Sequence, residues 1–238
     1  CCDGSIVPII EDSEGEPLVA PRTADDPASD GGRPSPAAMV SGNRFLRGTI
    51  THALLQYLPD IEAGERKATA TAFVTRRGEE LPAKVRLGIV RETLAILTSG
   101  DFALLFSPLS RAEVPISAVI PRPAGMSGPA LRLTGQIDRL AVTASDVFIV
   151  DYKTNRPPPH EVQRVAPAYL FQLAAYALAL REIYPDKRVR AALLWTDGPR
   201  LMEIPGEILR DYGQRLWKLD VASLDVPGAD TYVPAPNV

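Results

Sequence analysis

The chain has 238 residues, of which 45% are hydrophobic, and its formal net charge at pH 7 is −3. This length and apolar content suffice for a buried core in one large domain or two small ones. The sequence contains no run of about 18 apolar residues and no basic start followed by an apolar segment. These absences exclude a membrane span and a secretory signal, and they predict a cytoplasmic protein.

The first 40 residues differ from the rest in composition. They contain eight acidic residues, two arginines and six prolines, and such a segment buries too little apolar surface to offset the entropy of ordering. We therefore predict a flexible, acidic, proline-rich linker or arm over 1–40. Its Cys1 and Cys2 are adjacent and cannot form a disulfide framework, so we assign them no role. A start at cysteine instead of methionine indicates a fragment of a larger protein.

Residues 41–238 form the predicted folded domain. They carry 24 basic and 21 acidic side chains, a balance that permits DNA binding without predicting it. Apolar residues at helical spacing predict helices near 43–58, 61–77 and 82–98, and Pro59 closes the first of them. The part from 41 to 106 is therefore predicted to be mainly helical.

The sequence after Phe106 changes to segments rich in β-branched residues, which predict strands over 112–120, 131–142 and 146–154. Residues 147–150, Val-Phe-Ile-Val, lack polar alternation and predict a central strand covered on both faces. A long helix, a hairpin and a last helix are predicted over 167–184, 192–204 and 206–219. This order predicts an α/β domain with a mixed central sheet flanked by helices, its sheet and covering helices lying within 107–220.

Two charged residues interrupt the apolar strand at its end. In a strand, residues two apart share a face, so Asp151 and Lys153 are expected to point the same way and Tyr152 the opposite way. A buried carboxylate beside a buried ammonium indicates a chemical role. The alternative is that the strand has reached the edge of the sheet and continues into a solvated loop.

A second carboxylate, Asp138, precedes Asp151 by a distance that lets a hairpin return it beside Asp151. Two carboxylates and a lysine at strand ends form a hard-oxygen site suited to Mg²⁺ or Mn²⁺, and the shortage of cysteine and histidine argues against zinc. The alternative for Asp138 is a salt bridge to the neighbouring Arg139.

The order Gly-Gln-Ile-Asp at 135–138, Asp-Tyr-Lys-Thr at 151–154 and a helix bearing Gln172 and Tyr176 resembles the PD-(D/E)XK nucleases. The resemblance covers roughly 40–220 and is greatest to the RecB-like branch, in particular to the carboxy-terminal nuclease domains of AddA-type bacterial helicase–nucleases. The segments VDYKTNRPP and AALLWTDGPRLMEIP strengthen it, and Ile137 replaces the proline of the family motif. It implies a restriction-endonuclease-like fold with a helical N-terminal part.

The same resemblance implies a set of metal ligands. It makes Asp138 and Asp151 ligands of Mg²⁺ or Mn²⁺, with the carbonyl of Tyr152 as a third oxygen and His52 as a ligand from the first helix. Lys153 would position the attacking water or stabilise negative charge on the phosphate, and the second role is favoured because an ammonium beside two carboxylates stays protonated. Without the resemblance, His52 is a partly buried packing residue.

The resemblance also implies supporting residues. Gln172 and Tyr176, four apart on one helix face, would orient Lys153 and contact a DNA phosphate. The alternative is an ordinary polar stripe. Glu113 would support the metal site from outside the ligand set, or form an ion pair with Arg111 or another base.

Three arginines near these motifs are candidates for phosphate contacts, with ordinary solvated arginines as the alternative: Arg44, Arg47 and Arg156.

The function implied by the resemblance is metal-dependent hydrolysis of DNA, with single-stranded DNA exonuclease activity in double-strand break repair and recombination, in the bacterial cytoplasm, as the expected form. No G-x-x-x-x-G-K-[ST] loop is present, so helicase domains would lie upstream in the parent protein and an AddB-like subunit would be the partner. The alternatives are an inactive nuclease-fold module that binds DNA or a partner, and a free-standing exonuclease.

Overall fold

The computed structural model describes residues 36–218. In chain order, its helices and strands are α1 Pro36–Tyr57, α2 Arg66–Arg77, α3 Ala83–Thr98, β1 Ser110–Ile120, β2 Leu131–Val142, β3 Asp146–Lys153, α4 Pro167–Ile183, β4 Arg188–Trp195, β5 Arg200–Ile204 and α5 Gly206–Leu216. Short 3-10 turns follow α1 and α3 and precede α4.

The five strands form one mixed sheet in the order β1-β2-β3-β4-β5. Only β3 and β4 pair in parallel, and the other neighbours are antiparallel. A parallel pair needs a crossover connection, and α4 supplies it. The carboxyl end of β3 therefore lies beside the carboxyl end of β4, next to the helix that covers them.

Both faces of the sheet are buried. On one face, Val147 and Ile149 of β3 pack with Leu173 and Ala177 of α4. On the other face, Phe148 and Val150 pack with residues that include Leu55 of α1 and Ile96 of α3. The prediction that 147–150 form a central strand covered on both sides is therefore confirmed.

The helices α1, α2 and α3 form a second apolar cluster beside the sheet. Its fully buried members include Ile50 and Leu54 of α1, Val74 of α2 and Ile89 of α3. The predicted mainly helical part over 41–106 is confirmed. None of the described helices is long and apolar enough to cross a membrane.

After residue 60 the element bounds lie within five residues of the sequence predictions, with α2 starting at Arg66 instead of 61 and β4 at Arg188 instead of 192, and the first helix differs more. It begins at Pro36 instead of Asn43, because proline is favourable at the first helical position and Ala37 and Ala38 favour helix. The last five residues of the predicted linker thus belong to α1. Residues 1–35, which hold the rest of that linker with Cys1 and Cys2, lie outside the described residues.

The buried side chain of Arg139 in β2 connects α1 to the sheet. Its Nη2 donates a hydrogen bond of 2.7 Å to the carbonyl of Leu55, its Nε donates to the Tyr152 hydroxyl at 3.2 Å, and its guanidinium lies 5.0 Å from the centre of the Phe106 ring. The predicted alternative, a pair between Arg139 and Asp138, is not found among the described contacts.

We expect Leu55→Ala to lower the free energy of unfolding by about 2–5 kcal/mol, because it opens a cavity where α1 meets the sheet. Tyr57→Ala, on the same helix but 56% exposed, should change it by less than about 0.5 kcal/mol. Urea unfolding followed by circular dichroism measures both. Equal losses from the two variants would show that α1 is not held to the sheet through Leu55.

Candidate metal centre

Three neighbouring strands bring three carboxylates toward one place. The β1–β2 register pairs Ala112 with Arg139 and Val114 with Ile137, so Glu113 lies opposite Asp138. The β2–β3 ladder ends at the pair of Arg139 and Val150, so Asp151 follows beside Asp138. The hairpin predicted to return Asp138 to Asp151 is present.

Strands β1 and β2 are irregular where Glu113 and Asp138 lie. Ile137 and Leu140 are three apart yet pack on the same face of the sheet, whereas residues three apart in a regular strand point to opposite faces. Glu113 has a φ of 50°, which is rare for a residue with a side chain and is found most often at functional sites. Such irregularities redirect side chains, and here they turn Glu113 and Asp138 toward α1.

Asp138 connects β2, β3 and α1. Its Oδ2 accepts the backbone N–H of Tyr152 at 2.6 Å, and its Oδ1 lies 3.5 Å from Nδ1 of His52. Burial raises the pKa of this carboxyl, but the charge and hydrogen bond of His52 and the Tyr152 N–H outweigh burial and hold the pKa below its usual value. Asp138 is therefore ionised and oriented.

His52 reaches this carboxylate from the middle of α1, with about a third of its side chain exposed. Its ring packs edge-on against Tyr152, with 5.5 Å between the ring centres. Burial lowers the pKa of the imidazole, yet the charge of Asp138 and its hydrogen bond more than compensate and raise the pKa to about 9. Without a metal, a proton on His52 balances one of the carboxylates.

Asp151 and Lys153 lie on the α4 face of β3, and Tyr152 lies on the opposite face, as the alternation predicted. Lys153 Nζ lies 2.6 Å from Asp151 Oδ2, and the two side chains form a buried ion pair. Burial raises the pKa of Asp151 in spite of the lysine. Burial lowers that of Lys153, but Asp151 outweighs it and the ammonium stays protonated, as expected.

Side chains of α4 surround the Lys153 ammonium. Gln172 Oε1 accepts from Nζ at 3.4 Å, and the Tyr169 ring centre lies 4.0 Å from Nζ. The Gln172 amide in turn donates to the Tyr176 hydroxyl at 3.4 Å, and that hydroxyl donates to the carbonyl of Gln136 at 3.0 Å. Gln172 thus contacts Lys153 directly.

Tyr176 is buried behind Gln172, and its hydroxyl is engaged within the protein. The contact with a DNA phosphate that the sequence analysis implied for it does not fit this burial, whereas orientation of Gln172 does. Tyr176 also fills the space beside Gly135, where a Cβ atom would lie only 2.6 Å from the tyrosine oxygen.

One group of side chains could hold a metal ion within the described residues: His52, Glu113 and Asp138, each with a ligand atom within 4.8 Å of the others. Ligands of an octahedral Mg²⁺ at about 2.1 Å lie roughly 3–4.2 Å apart, so a bound divalent cation would draw these ligand atoms slightly closer together. Burial and the charge of Asp138 raise the pKa of Glu113 to about 7. A metal would therefore replace protons on Glu113 and His52, because its ligands must be deprotonated.

Glu113 is nearer to the site than the sequence analysis expected. It belongs to the group of possible ligands, and Arg111, its predicted alternative partner, donates instead to the carbonyls of Pro108 and Ser110. Asp151 does not join this group at the same distance, because its carboxylate is drawn to Lys153. The oxygen-rich ligand set, with the buried carboxylate of Asp151 on the neighbouring strand, fits a hard divalent metal.

A buried ionic network lies behind the loop that follows Lys153. Glu92 of α3, 5% exposed, pairs with Arg47 of α1 at 2.9 Å and with Arg156. Arg47 also donates to the carbonyl of Thr154 at 2.5 Å. Arg156 also lies 3.7 Å from Asp197. Arg47 is thus buried and paired inside the protein, which corrects its assignment as a phosphate contact. Arg156 is also paired with acidic residues of the protein.

Comparison with known proteins agrees with this geometry. The model of the PD-(D/E)XK nuclease superfamily matches residues 30–220. Among solved structures, the crystal structure of SSO0001 shares 15% identity over 70% of this chain and 72% of its own, with a TM-score of 0.30. The crystal structure of protein VC1899 from Vibrio cholerae shares 14% identity over 78% of this chain and 57% of its own, with a TM-score of 0.28. At these scores the structural likeness carries no argument. A search of curated proteins gave no match.

We expect the protein to bind Mn²⁺ by calorimetry, and Asp138→Asn to weaken binding by more than about tenfold because a ligand is lost. Glu113→Gln should weaken it to a similar extent if Glu113 is a ligand. Asp101→Asn, which removes an exposed carboxylate outside the site, is the matched control. Unchanged affinity in the Glu113 variant would place this residue outside the ligand set.

We expect Glu92→Ala to lower the free energy of unfolding by roughly 3–5 kcal/mol, since it leaves the buried guanidinium of Arg47 without its counter-ion. Glu203→Ala removes the exposed partner of Arg190 and should cost no more than about 1 kcal/mol. Chemical denaturation of both variants tests this difference. Similar losses would mean that the internal network adds no more than a surface pair.

Proposed function

The chain belongs to the PD-(D/E)XK nuclease superfamily, and we propose that it is a metal-dependent nuclease that hydrolyses phosphodiester bonds of DNA. The observation that supports this most directly is the meeting of Asp138, within β2, with Asp151 and Lys153 at the end of β3, and with His52 of α1 beside Asp138. Superfamily membership alone does not provide these groups. An inactive module would not need to keep two acids and a lysine together under burial.

The metal we propose is Mg²⁺ or Mn²⁺, held by His52, Asp138 and Asp151, with the Tyr152 carbonyl and Glu113 as further oxygen ligands. When bound, such an ion lowers the pKa of a water molecule and neutralises charge on the phosphate. Asp151 would exchange its contact with Lys153 for this ligand role. That exchange leaves the ammonium free to face the substrate.

Lys153 is then the residue that stabilises the transition state. Its Nζ is protonated and held by Gln172 Oε1 and the Tyr169 ring, so it presents a positive charge at a fixed place. Preorganised charge of this kind lowers the energy of the negative charge that develops on the phosphate. Gln172 is a positioning residue in this proposal, and Tyr176 acts through it.

The sequence resemblance over 135–176, with VDYKTNRPP and AALLWTDGPRLMEIP, supports a narrower proposal. In it, this domain is the nuclease of an AddA-type helicase–nuclease of the bacterial cytoplasm, with helicase domains in the same protein and an AddB-like partner subunit. It would degrade single-stranded DNA from an end during double-strand break repair and recombination. The part of the predicted linker 1–40 that precedes α1 would be the tether.

We expect the protein to degrade labelled single-stranded DNA in low salt with Mg²⁺ or Mn²⁺, and EDTA to stop the reaction. Asp151→Asn and Lys153→Met should each reduce the rate by about 100-fold or more, because the first removes a metal ligand and the second removes the charge that stabilises the transition state. Gel analysis of the products over time measures the rates and distinguishes cleavage from an end from internal cleavage.

The matched control is Lys187→Met, a lysine at the start of β4 and hence at the opposite end of the β3–β4 pair. Its activity should equal that of the unmodified protein. Metal-independent degradation, or equal rates in all variants, would contradict the proposed nuclease centre. Absence of both cleavage and metal binding would favour the inactive binding module.

A further inference from the structure

A large groove opens between the N-terminal halves of α1 and α3 and ends at the segment after β3. Its volume is about 1140 Å³, larger than the roughly 300–1,000 Å³ of a typical small-molecule pocket. Gly48 of α1 and Gly88 of α3 lie in its lining, where side chains would otherwise narrow it. A groove of this size suits a segment of a polymer.

The lining of the groove carries an excess of positive charge. Arg44, Lys84 and Arg91 are exposed in it and form no ion pair with any described residue. Glu92 is the single acidic residue of the lining, and it is buried and already paired with two arginines. Its negative charge therefore does not offset the three exposed cations.

Exposed apolar side chains stand among these cations. Phe45 of α1 is 53% exposed and Leu87 of α3 is 69% exposed, and both line the groove. Lys84, Leu87 and Arg91 are three and four residues apart, so they share one face of α3. Alternating cationic and apolar groups match a chain of phosphates with bases that are free to stack. In a duplex the bases are already stacked and paired, so these apolar side chains would have no partner.

The groove leads to the candidate metal centre. Thr154 and Asn155, directly after Lys153, line its inner end together with Tyr169. The Tyr169 hydroxyl donates to Asn155 Oδ1 at 3.0 Å, while its ring lies 4.0 Å from Lys153 Nζ. Tyr169 thus borders both the groove and the reactive lysine. A strand that follows the groove to Thr154 would reach Tyr169, whose ring contacts Lys153.

We propose that this groove binds single-stranded DNA and guides it to the metal centre. Arg44, Lys84 and Arg91 contact its phosphates, and Phe45 and Leu87 contact its bases. The inference rests on the proposed nuclease function, to which it adds a substrate path and the preference for a single strand. Binding does not need the metal, so it can be measured apart from cleavage.

The test is the affinity of a labelled oligothymidylate in EDTA, measured by fluorescence anisotropy over a range of salt. The double variant Lys84→Ala, Arg91→Ala should bind roughly 10- to 30-fold more weakly at moderate salt, with a salt slope smaller by about 1.4, because two phosphate contacts are lost. Phe45→Ala should bind about fivefold more weakly or worse with an unchanged slope, because it removes stacking and no charge.

The matched control is Lys67→Ala, Arg76→Ala, which removes the same charge from exposed positions of α2 outside the groove. It should bind as the unmodified protein does, and a duplex should compete poorly with the oligothymidylate. Equal losses in the two double variants would overturn the proposal, since only net charge would then matter. Preference for the duplex would overturn it as well.

Failure of the groove and failure of the nuclease give different results. If Lys84→Ala, Arg91→Ala binds normally while DNA is still cleaved in a metal-dependent way, the groove proposal is wrong and the nuclease stands. If binding depends on Lys84, Arg91 and Phe45 but no metal restores cleavage, the groove stands and the nuclease is wrong. Capture of a protein segment in place of DNA would appear as absent binding of the oligothymidylate, and would overturn the proposal.

Discussion

The Asp138 carboxylate joins three elements of the fold, because it accepts the N–H of Tyr152 in β3 while it faces His52 of α1 from its own strand β2. The ladder of backbone hydrogen bonds between β2 and β3 ends at the pair of Arg139 and Val150. Beyond that pair, the Asp138 carboxylate and not a backbone carbonyl accepts the N–H of Tyr152. The position of the acid thus follows from sheet pairing. The docking of α1 through Arg139 and Leu55 then sets the distance to the histidine.

Burial of several acids in one place is stable only with compensating positive charge. In the metal-free protein the protonated His52 and the ammonium of Lys153 supply it, and Glu113 holds a proton up to a pKa of about 7. A single divalent cation would supply the two positive charges that the protons on His52 and Glu113 supply in the metal-free protein. The site therefore exchanges protons for metal with little change in its total charge, which keeps the surrounding packing compatible with both states.

Local patterns in the sequence predicted the parts that depend on periodicity. The shared face of Asp151 and Lys153, the buried strand between them and Asp146, and the helix α4 all follow from spacing along the chain. The position of Glu113 could not be predicted in this way, because a positive φ in a β-rich segment has no sequence signal without glycine. A single indicator existed, the family resemblance, which implied that Glu113 supports the metal site.

Contacts between residues far apart in the chain could not be predicted from the sequence either. Arg47 is as plausible on a solvated helix face as Arg44, and only the packing of α1 against α3 buries it on Glu92. The groove could not be predicted for the same reason. Its cations come from two helices, α1 and α3, and the distance between two helices does not follow from the spacing of residues along the chain. Comparison of the two arginines shows that helical periodicity predicts which residues share a face, but the tertiary fold decides which of them meet solvent.

The contact between Tyr176 and Gly135 constrains how this protein can vary. Because a side chain at 135 would occupy the place of the tyrosine hydroxyl, position 135 cannot change independently: a larger residue in the strand requires a smaller one at 176 on the helix. The hydroxyl also holds the Gln136 carbonyl, so a compensating exchange would release the strand two residues before the acid that organises the site. Designers who transplant this centre to another scaffold would have to move the glycine and the tyrosine as a pair.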